Sequence, residues 1–186
     1  MTEQPARQFP DMWVDPDDDP RETEVVTVGE KENLAAYLDH YRLTFEMKCE
    51  GLDAEQLAQR AVPPSSMSLL GLVRHLAQVE HGWFRRFIEE QQDLPRLFKL
   101  PEDHDWDFNG AVPEDAVVAE AWASWRTEVA HAREVYARID DLGTMVGPEG
   151  DRNEARDIIV HMIEEYARHV GHADLLRECI DGRTGQ

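Results

Sequence analysis

The chain has 186 residues with 19 basic and 39 acidic side chains, which gives a formal net charge of −20. This charge repels nucleic-acid phosphates and anionic lipid headgroups, so neither nucleic acid nor a membrane surface is an expected partner. The length suits a domain with one core, no apolar run approaches the roughly 20 residues of a membrane span, and the two cysteines form no Cys-x-x-Cys pair, so we expect a globular cytoplasmic protein.

The first 29 residues differ in composition from the rest of the chain. Three prolines surround or interrupt an acidic run from Asp15 to Asp19, and no helical period is visible. We therefore expect an extended acidic arm at residues 1–29, followed by a domain at 30–186. The apolar side chains that would fasten this arm to the domain are Phe9, Met12, Trp13, Val25 and Val26.

Beyond the arm, apolar residues recur at helical spacing in four blocks, which predict four long helices. They cover, in order, about residues 30–50, 67–91, 113–139 and 153–180. Ser65 and Ser66 are the expected N-caps of the second helix. Trp122 and Trp125, on the third helix, fit core packing or a homodimer interface. No run alternates with period two, so we expect an all-α, up-down four-helix bundle.

A longer connection, residues 93–112, joins the second and third predicted helices. Its ring-bearing side chains are Phe98, His104, Trp106 and Phe108. Two interpretations remain open: the segment covers one end of the bundle, or it forms a lid over a pocket. We expect the part around Trp106 to cover the open face of a site.

The last predicted helix carries polar side chains on its apolar face. At about 100° per residue, His169 lies at the centre of that face and Glu165 lies one turn earlier. An ionised carboxylate turned toward a core is costly unless a cation compensates it. Glu165 therefore needs either a basic side chain from another helix or a divalent metal shared with His169. His75, beside the buried face of the second helix, is the candidate third ligand, although a boundary histidine of this kind is also typical of an ordinary hydrogen-bonded residue.

Four strings in the sequence resemble the DinB-like family. They are CEGL at 49–52, AVPPSS at 61–66, LLGLVRHL at 69–76 and HMIEEYARHVGHADLLRE at 161–178. The branch that they resemble is catalogued mainly in actinobacteria as a domain of unknown function, and the resemblance covers about residues 30–186. It implies a four-helix metalloprotein that is similar in its core to mycothiol-dependent maleylpyruvate isomerase and to the bacillithiol transferases.

The resemblance also implies a divalent ion, most often zinc or nickel, held by a histidine of the second helix and a carboxylate–histidine pair on the last. On this chain that motif falls on His75, Glu165 and His169, the residues that helical geometry also singles out. Where the family usually has Gly-Gln after the last ligand, this chain has Gly171 followed by His172. His172 is then a fourth ligand, a group that orients a ligand, an acid–base residue or a boundary histidine facing solvent. His161 is expected to support a ligand or the fold.

Three protein ligands leave one coordination position open, as in catalytic metal sites. The first functional hypothesis is therefore a thiol transferase or isomerase, in which the ion activates mycothiol or a similar low-molecular-weight thiol toward a small electrophile. Arg74 and Arg168, which are near the ligands in sequence, are candidates for holding an anionic cosubstrate. The second hypothesis is a metal-dependent hydrolase in which Tyr166 or His172 assists proton transfer. The third is a non-catalytic binding or stress-response protein, in which Glu165 would pair with an arginine.

Overall fold

The computed structural model describes residues 8–9, 11–21 and 27–185. Within these residues there are six α-helices: α1 (Glu30–Cys49), α2 (Ala54–Ala58), α3 (Leu69–Glu80), α4 (Trp106–Asn109), α5 (Asp115–Ala137) and α6 (Ala155–Asp181). A π-helical segment, His81–Ile88, continues α3 without a break. The long helices pack in two pairs, α1 along α6 and α3 along α5. This arrangement confirms the predicted all-α four-helix bundle.

Two short helices, α2 and α4, and two short strands accompany the four long helices. α2 opens with a capping box, in which the carboxylate of Asp53 accepts from the backbone amide of Gln56 and the Gln56 side chain accepts from the amide of Asp53. Two strands, β1 (Met145–Val146) and β2 (Asn153–Glu154), form an antiparallel pair. With five residues in α2 and two in each strand, these elements are too short to show a helical or period-two pattern. Periodicity in the sequence therefore does not predict them.

The second long helix begins later than its serine signals predict. Its N-cap is Ser68, whose hydroxyl accepts a hydrogen bond from the amide of Gly71 at 3.1 Å. The hydroxyl of Ser65 instead accepts from the amide of Met67 in the preceding turn. His75, farther along this helix, lies on the side of the bundle where α6 lies.

Aliphatic and aromatic side chains from all four long helices fill the interior. Fully buried examples are Phe45, Leu72, Leu76, Ala132 and Met162. Burying each of the larger ones contributes roughly 1.5–3 kcal/mol relative to exposure. Trp125 also lies in this core, and Trp122 packs against it with ring centroids 5.5 Å apart. Within the described residues, no helix is both long and apolar enough to cross a bilayer.

Part of the predicted arm packs on the bundle through Trp13, whose indole is only 2 % exposed. Three cations surround this ring: Lys48 lies 3.9 Å, Arg177 5.1 Å and Arg183 3.7 Å from its centroid. Arg183 also donates a hydrogen bond to the backbone oxygen of Trp13 at 2.9 Å. Val25 and Val26, which were expected to help fasten the arm, lie outside the described residues.

Candidate metal centre

His75 on α3 and the pair Glu165 and His169 on α6 converge at one place. One ligand atom from each, two imidazole nitrogens and a carboxylate oxygen, lie within 4.8 Å of one another. Oε2 of Glu165 is 3.4 Å from Nε2 of His169 and 3.8 Å from Nε2 of His75. Ligand atoms around a tetrahedral zinc with bonds of about 2.0–2.2 Å are roughly 3.3–3.6 Å apart. The donor set and its spacing therefore fit a divalent ion after small side-chain adjustments.

Helix geometry accounts for two of these three side chains. Glu165 and His169 are four residues apart on α6, so their side chains lie on one face, one turn apart. His75 comes from α3, and its ring centroid is 4.8 Å from that of His169. The side chains of His75 and Glu165 are 22 % and 25 % exposed, whereas that of His169 is 10 % exposed. The cluster thus lies at the edge of the core, where a small molecule can reach it.

A buried aspartate that the sequence did not single out holds His75. Asp107, in α4, is fully buried, and its Oδ2 is 2.9 Å from Nδ1 of His75. An ionised carboxylate only accepts hydrogen bonds, so Nδ1 of His75 carries a proton, and in the neutral imidazole the lone pair is then on Nε2, the nitrogen that faces Glu165. Histidine ligands of metals are commonly oriented by a carboxylate in this way.

The surroundings of Asp107 keep its side chain ionised. Lys99 donates to the same carboxylate oxygen at 2.7 Å. Burial by itself would raise the pKa of Asp107, but the hydrogen bonds from His75 and Lys99 hold it below its ordinary value. The ring of Phe108, the next residue, stacks on His75 with centroids 5.4 Å apart. The only sequence signal for this arrangement is an acidic residue between Trp106 and Phe108 in the long connection.

Imidazoles surround the carboxylate of Glu165. Besides the two candidate ligands, Nε2 of His161 lies 3.6 Å from Oε1. The neighbouring imidazoles of His169 and His75 hold the pKa of Glu165 well below its ordinary value, although burial opposes this shift. Burial lowers the pKa of His75, but its contacts with Asp107 and Glu165 more than offset that effect and raise it. In the described part of the chain, no arginine forms an ion pair with Glu165.

His172 contacts His169 through the ring nitrogen that does not face Glu165. Its Nδ1 is 3.3 Å from Nδ1 of His169. Burial and the nearby His169 and Arg168 lower the pKa of His172, which favours its neutral form. For Nε2 of His169 to offer a lone pair, its Nδ1 must carry the proton and donate a hydrogen bond to Nδ1 of His172. Of the roles that the sequence leaves open, this contact favours that of orienting a ligand.

Tyr166 points into the core, where it cannot take the proton-transfer role predicted for it. Its side chain is fully buried, and its hydroxyl donates to Oε1 of Glu80 and accepts from Nε1 of Trp125, both at 2.8 Å. Glu80 is itself paired with Arg42 through two hydrogen bonds of 2.8 and 2.7 Å. Burial beside Glu80 raises the pKa of Tyr166 well above its ordinary value. This geometry removes Tyr166 from the candidates for proton transfer.

The two arginines expected to hold an anionic cosubstrate have different surroundings. Arg74 is only 3 % exposed, and it donates to the backbone oxygens of Asp107 and Trp106, both at 2.9 Å. Its guanidinium also covers the ring of Phe98 at 4.3 Å. Arg74 therefore fixes the segment that carries Asp107, instead of taking the predicted role in cosubstrate binding. Arg168 is exposed on α6, and its predicted role remains a prediction.

A cavity of about 330 Å³ opens beside the cluster, with His75 in its wall. The other residues that line it are Gln78, Val79, Gly82, Trp83, Phe87, Arg96 and Lys99. Part of this lining comes from the connection between the π-helical segment and α4, which therefore shapes a pocket as well as covering the bundle. A larger cavity, of about 750 Å³, lies between α1 and α5, and none of the three candidate ligands is in its wall.

A protein-family model described as mycothiol-S-transferase matches residues 33–182. The matched region extends from α1 to the end of α6 and includes all three residues of the cluster. A search among curated proteins finds no match to the chain. The family match confirms the resemblance to thiol-dependent DinB-like proteins that the four sequence strings indicate.

Proposed function

Because the chain belongs to the mycothiol-S-transferase family, we propose that it joins the sulfur of mycothiol to a small electrophile, using a divalent metal held by His75, Glu165 and His169. The observation that carries this proposal is the convergence of two imidazole nitrogens and one carboxylate oxygen within 4.8 Å. Zinc and nickel are the candidate ions, because both accept imidazole ligands. When bound, such an ion lowers the pKa of a thiol in contact with it, so that the thiolate forms near neutral pH.

The side chains around the ligands would keep them ready to bind. Asp107 holds the proton of His75 on Nδ1, and His172 accepts a hydrogen bond from the protonated Nδ1 of His169. Glu165 supplies the negative charge, and its low pKa keeps it ionised at neutral pH. In the transfer itself the thiol loses its proton to the buffer and a sulfur–carbon bond forms. The displaced electron pair either departs with a leaving group or enters a conjugated system, which then takes up a proton.

The alternatives from the sequence gain less support. Tyr166, one of the two groups proposed to assist hydrolysis, is enclosed in the core by Glu80 and Trp125. The non-catalytic alternative pairs Glu165 with an arginine, whereas the described neighbours of its carboxylate are histidines. No observation selects isomerase chemistry over transfer. The cytoplasmic location, the homodimer and the division into an arm and a domain remain predictions.

The metal content of untagged protein tests the site. We expect about one divalent ion per chain in the wild type and almost none in the His75→Ala/His169→Ala double variant. His104→Ala removes an exposed histidine of the connection and should retain the metal. Mycothiol conjugation to 1-chloro-2,4-dinitrobenzene should be lost after chelation and return on adding zinc or nickel. Conjugation that continues unchanged without metal, or unchanged metal content in the double variant, would overturn the proposal.

A further inference from the structure

We propose that the cavity beside His75 binds the electrophile, and that it selects electrophiles with a flat apolar body and an acidic group that faces Arg96. This inference rests on the proposed function, because it assigns the second substrate of the same site. The cavity shares His75 with the metal cluster. A molecule that fills it therefore lies next to the place where the thiol would be activated.

The inner part of the cavity suits a flat apolar group. Val79, Trp83 and Phe87 line it, and the rings of Trp83 and Phe87 meet edge-on with centroids 5.1 Å apart. Gly82, also in the lining, adds no side chain, and a Cβ placed there would meet only Nε2 of Gln78, at 3.7 Å. A volume of about 330 Å³ is near the lower end for small-molecule sites, which favours a compact ligand such as one substituted ring.

The backbone that carries Arg96, an exposed residue of the cavity lining, is held in place. On one side of Arg96, the backbone oxygen of Pro95 is 3.1 Å from Nε2 of His81. On the other side, the amide of Leu97 donates to Oε1 of Gln78 at 2.6 Å. Hydrogen bonds thus hold the backbone before and after Arg96, while its own side chain is exposed and forms no ion pair with any described residue.

A second donor faces the same space. Gln78 is 5 % exposed, and its Oε1 is occupied by the amide of Leu97. Its Nε2 makes no hydrogen bond to any described residue, so this buried amide can donate to a ligand. Lys99, the other cation of the wall, is already engaged by Asp107 and by the backbone oxygen of His104. Arg96 and Gln78 are therefore the groups left to bind a carboxylate.

The charge of the whole chain makes this local arrangement informative. At a net charge of −20, the long-range field repels anions, so an acidic substrate needs a local cation. The lining of the cavity contains two basic residues and, among the described residues, no acidic one. A planar guanidinium binds a carboxylate through two parallel hydrogen bonds. An acid held at Arg96 would leave the rest of the electrophile inside the cavity, near His75.

Two matched electrophiles test this selection in the holoenzyme with mycothiol. They are 4-chloro-3-nitrobenzoate and 4-chloro-3-nitrobenzamide, which differ in charge and little in size. In both, sulfur bonds to the ring carbon that bears chlorine, chloride leaves with the bonding pair, and the thiol proton goes to the buffer. We expect Arg96→Met to lower kcat/KM roughly tenfold for the benzoate and little for the benzamide, given the exposure of the arginine. Arg152→Met, the same change at an exposed arginine outside the cavity, should alter neither.

Binding of the unreactive acid 3-nitrobenzoate, measured by calorimetry, gives a readout without turnover. The wild type should bind it more tightly than 3-nitrobenzamide, which lacks the charge, and than acetate, which lacks the ring. Arg96→Met should remove the preference over the benzamide. Absence of 3-nitrobenzoate binding, or an equal preference in wild type and Arg96→Met, would overturn the inference. So would an effect of Arg96→Met on the KM for mycothiol instead of that for the benzoate.

The two proposals fail in different ways. Arg96-dependent binding of 3-nitrobenzoate, without conjugation of either chlorinated electrophile, would support the acid-binding cavity and contradict the transferase. Metal-dependent conjugation with a benzoate-to-benzamide ratio that Arg96→Met leaves unchanged would support the transferase and refute the assigned subsite.

Discussion

Replacing Asp107 by asparagine should weaken metal binding without unfolding the protein. The substitution keeps the size of the side chain but removes its negative charge. That charge, on Oδ2 at 2.9 Å from Nδ1 of His75, keeps the imidazole proton on Nδ1. Loss of a group that orients a ligand typically lowers metal affinity by about 10–100-fold. That range corresponds to about 1.4–2.7 kcal/mol at 25 °C. Because Asp107 is fully buried, water does not screen its contact with His75, and we expect the upper half of the range.

The assay is competition for Zn²⁺ between the protein and a chromophoric chelator at pH 7. Asp105→Asn is the matched control, because this substitution makes the same charge change two residues earlier. Asp105 is exposed, and its side chain has no hydrogen bond to a described residue. Urea unfolding of both metal-free variants checks that the fold is retained. If Asp107→Asn binds Zn²⁺ within twofold of the wild type, or if Asp105→Asn loses as much affinity, the role given to Asp107 is wrong.

Three further substitutions test other parts of the structure by urea unfolding. Trp13→Ala should lower the free energy of unfolding by about 3–5 kcal/mol, since it removes a buried indole. Phe9→Ala, at a residue 42 % exposed, should lower it by under about 0.5 kcal/mol. Equal losses would contradict the packing of the arm. Tyr166→Phe should cost about 1–3 kcal/mol, because it leaves buried polar partners unpaired, and should leave zinc affinity unchanged; a loss of affinity would return Tyr166 to the site. Gly147→Ala should lower the free energy of unfolding more than Gly150→Ala. Both glycines have positive φ, but only a Cβ at Gly147 would lie 2.5 Å from the ring of Phe87. Similar losses would show that the clash is relieved.

The cluster was predictable because its two strongest signals are local. Spacing of four on one helix places Glu165 and His169 side by side wherever that helix packs. Because a carboxylate turned toward the core is costly without a cation, a further ligand is expected from another helix. His75, on α3, is placed to supply it. The same arithmetic places Tyr166 about 100° from Glu165, which turns it toward the core and argues against the proton-transfer role.

The contacts made by the connection between helices could not be predicted in this way. Asp107 and Arg96 lie in a stretch without periodicity, and their positions depend on the path of the backbone through it. That path is set by distant partners: Arg74 binds the carbonyls of Trp106 and Asp107, and Gln78 binds the amide of Leu97. Sequence proximity to His75 suggested a cosubstrate role for Arg74, whereas tertiary contacts make it a support for the residue that orients His75.

The hydrogen bonds that fasten the connection fall on main-chain atoms. The side chains of Gln78 and His81 bind the amide of Leu97 and the carbonyl of Pro95, and Arg86 binds the carbonyl of Leu94. These hydrogen bonds fall on the main chain of residues 94, 95 and 97, so replacing the side chain at position 96 leaves the anchorage in place. Substitutions at position 96 alone should therefore change which electrophiles the proposed cavity accepts and leave the metal cluster in place.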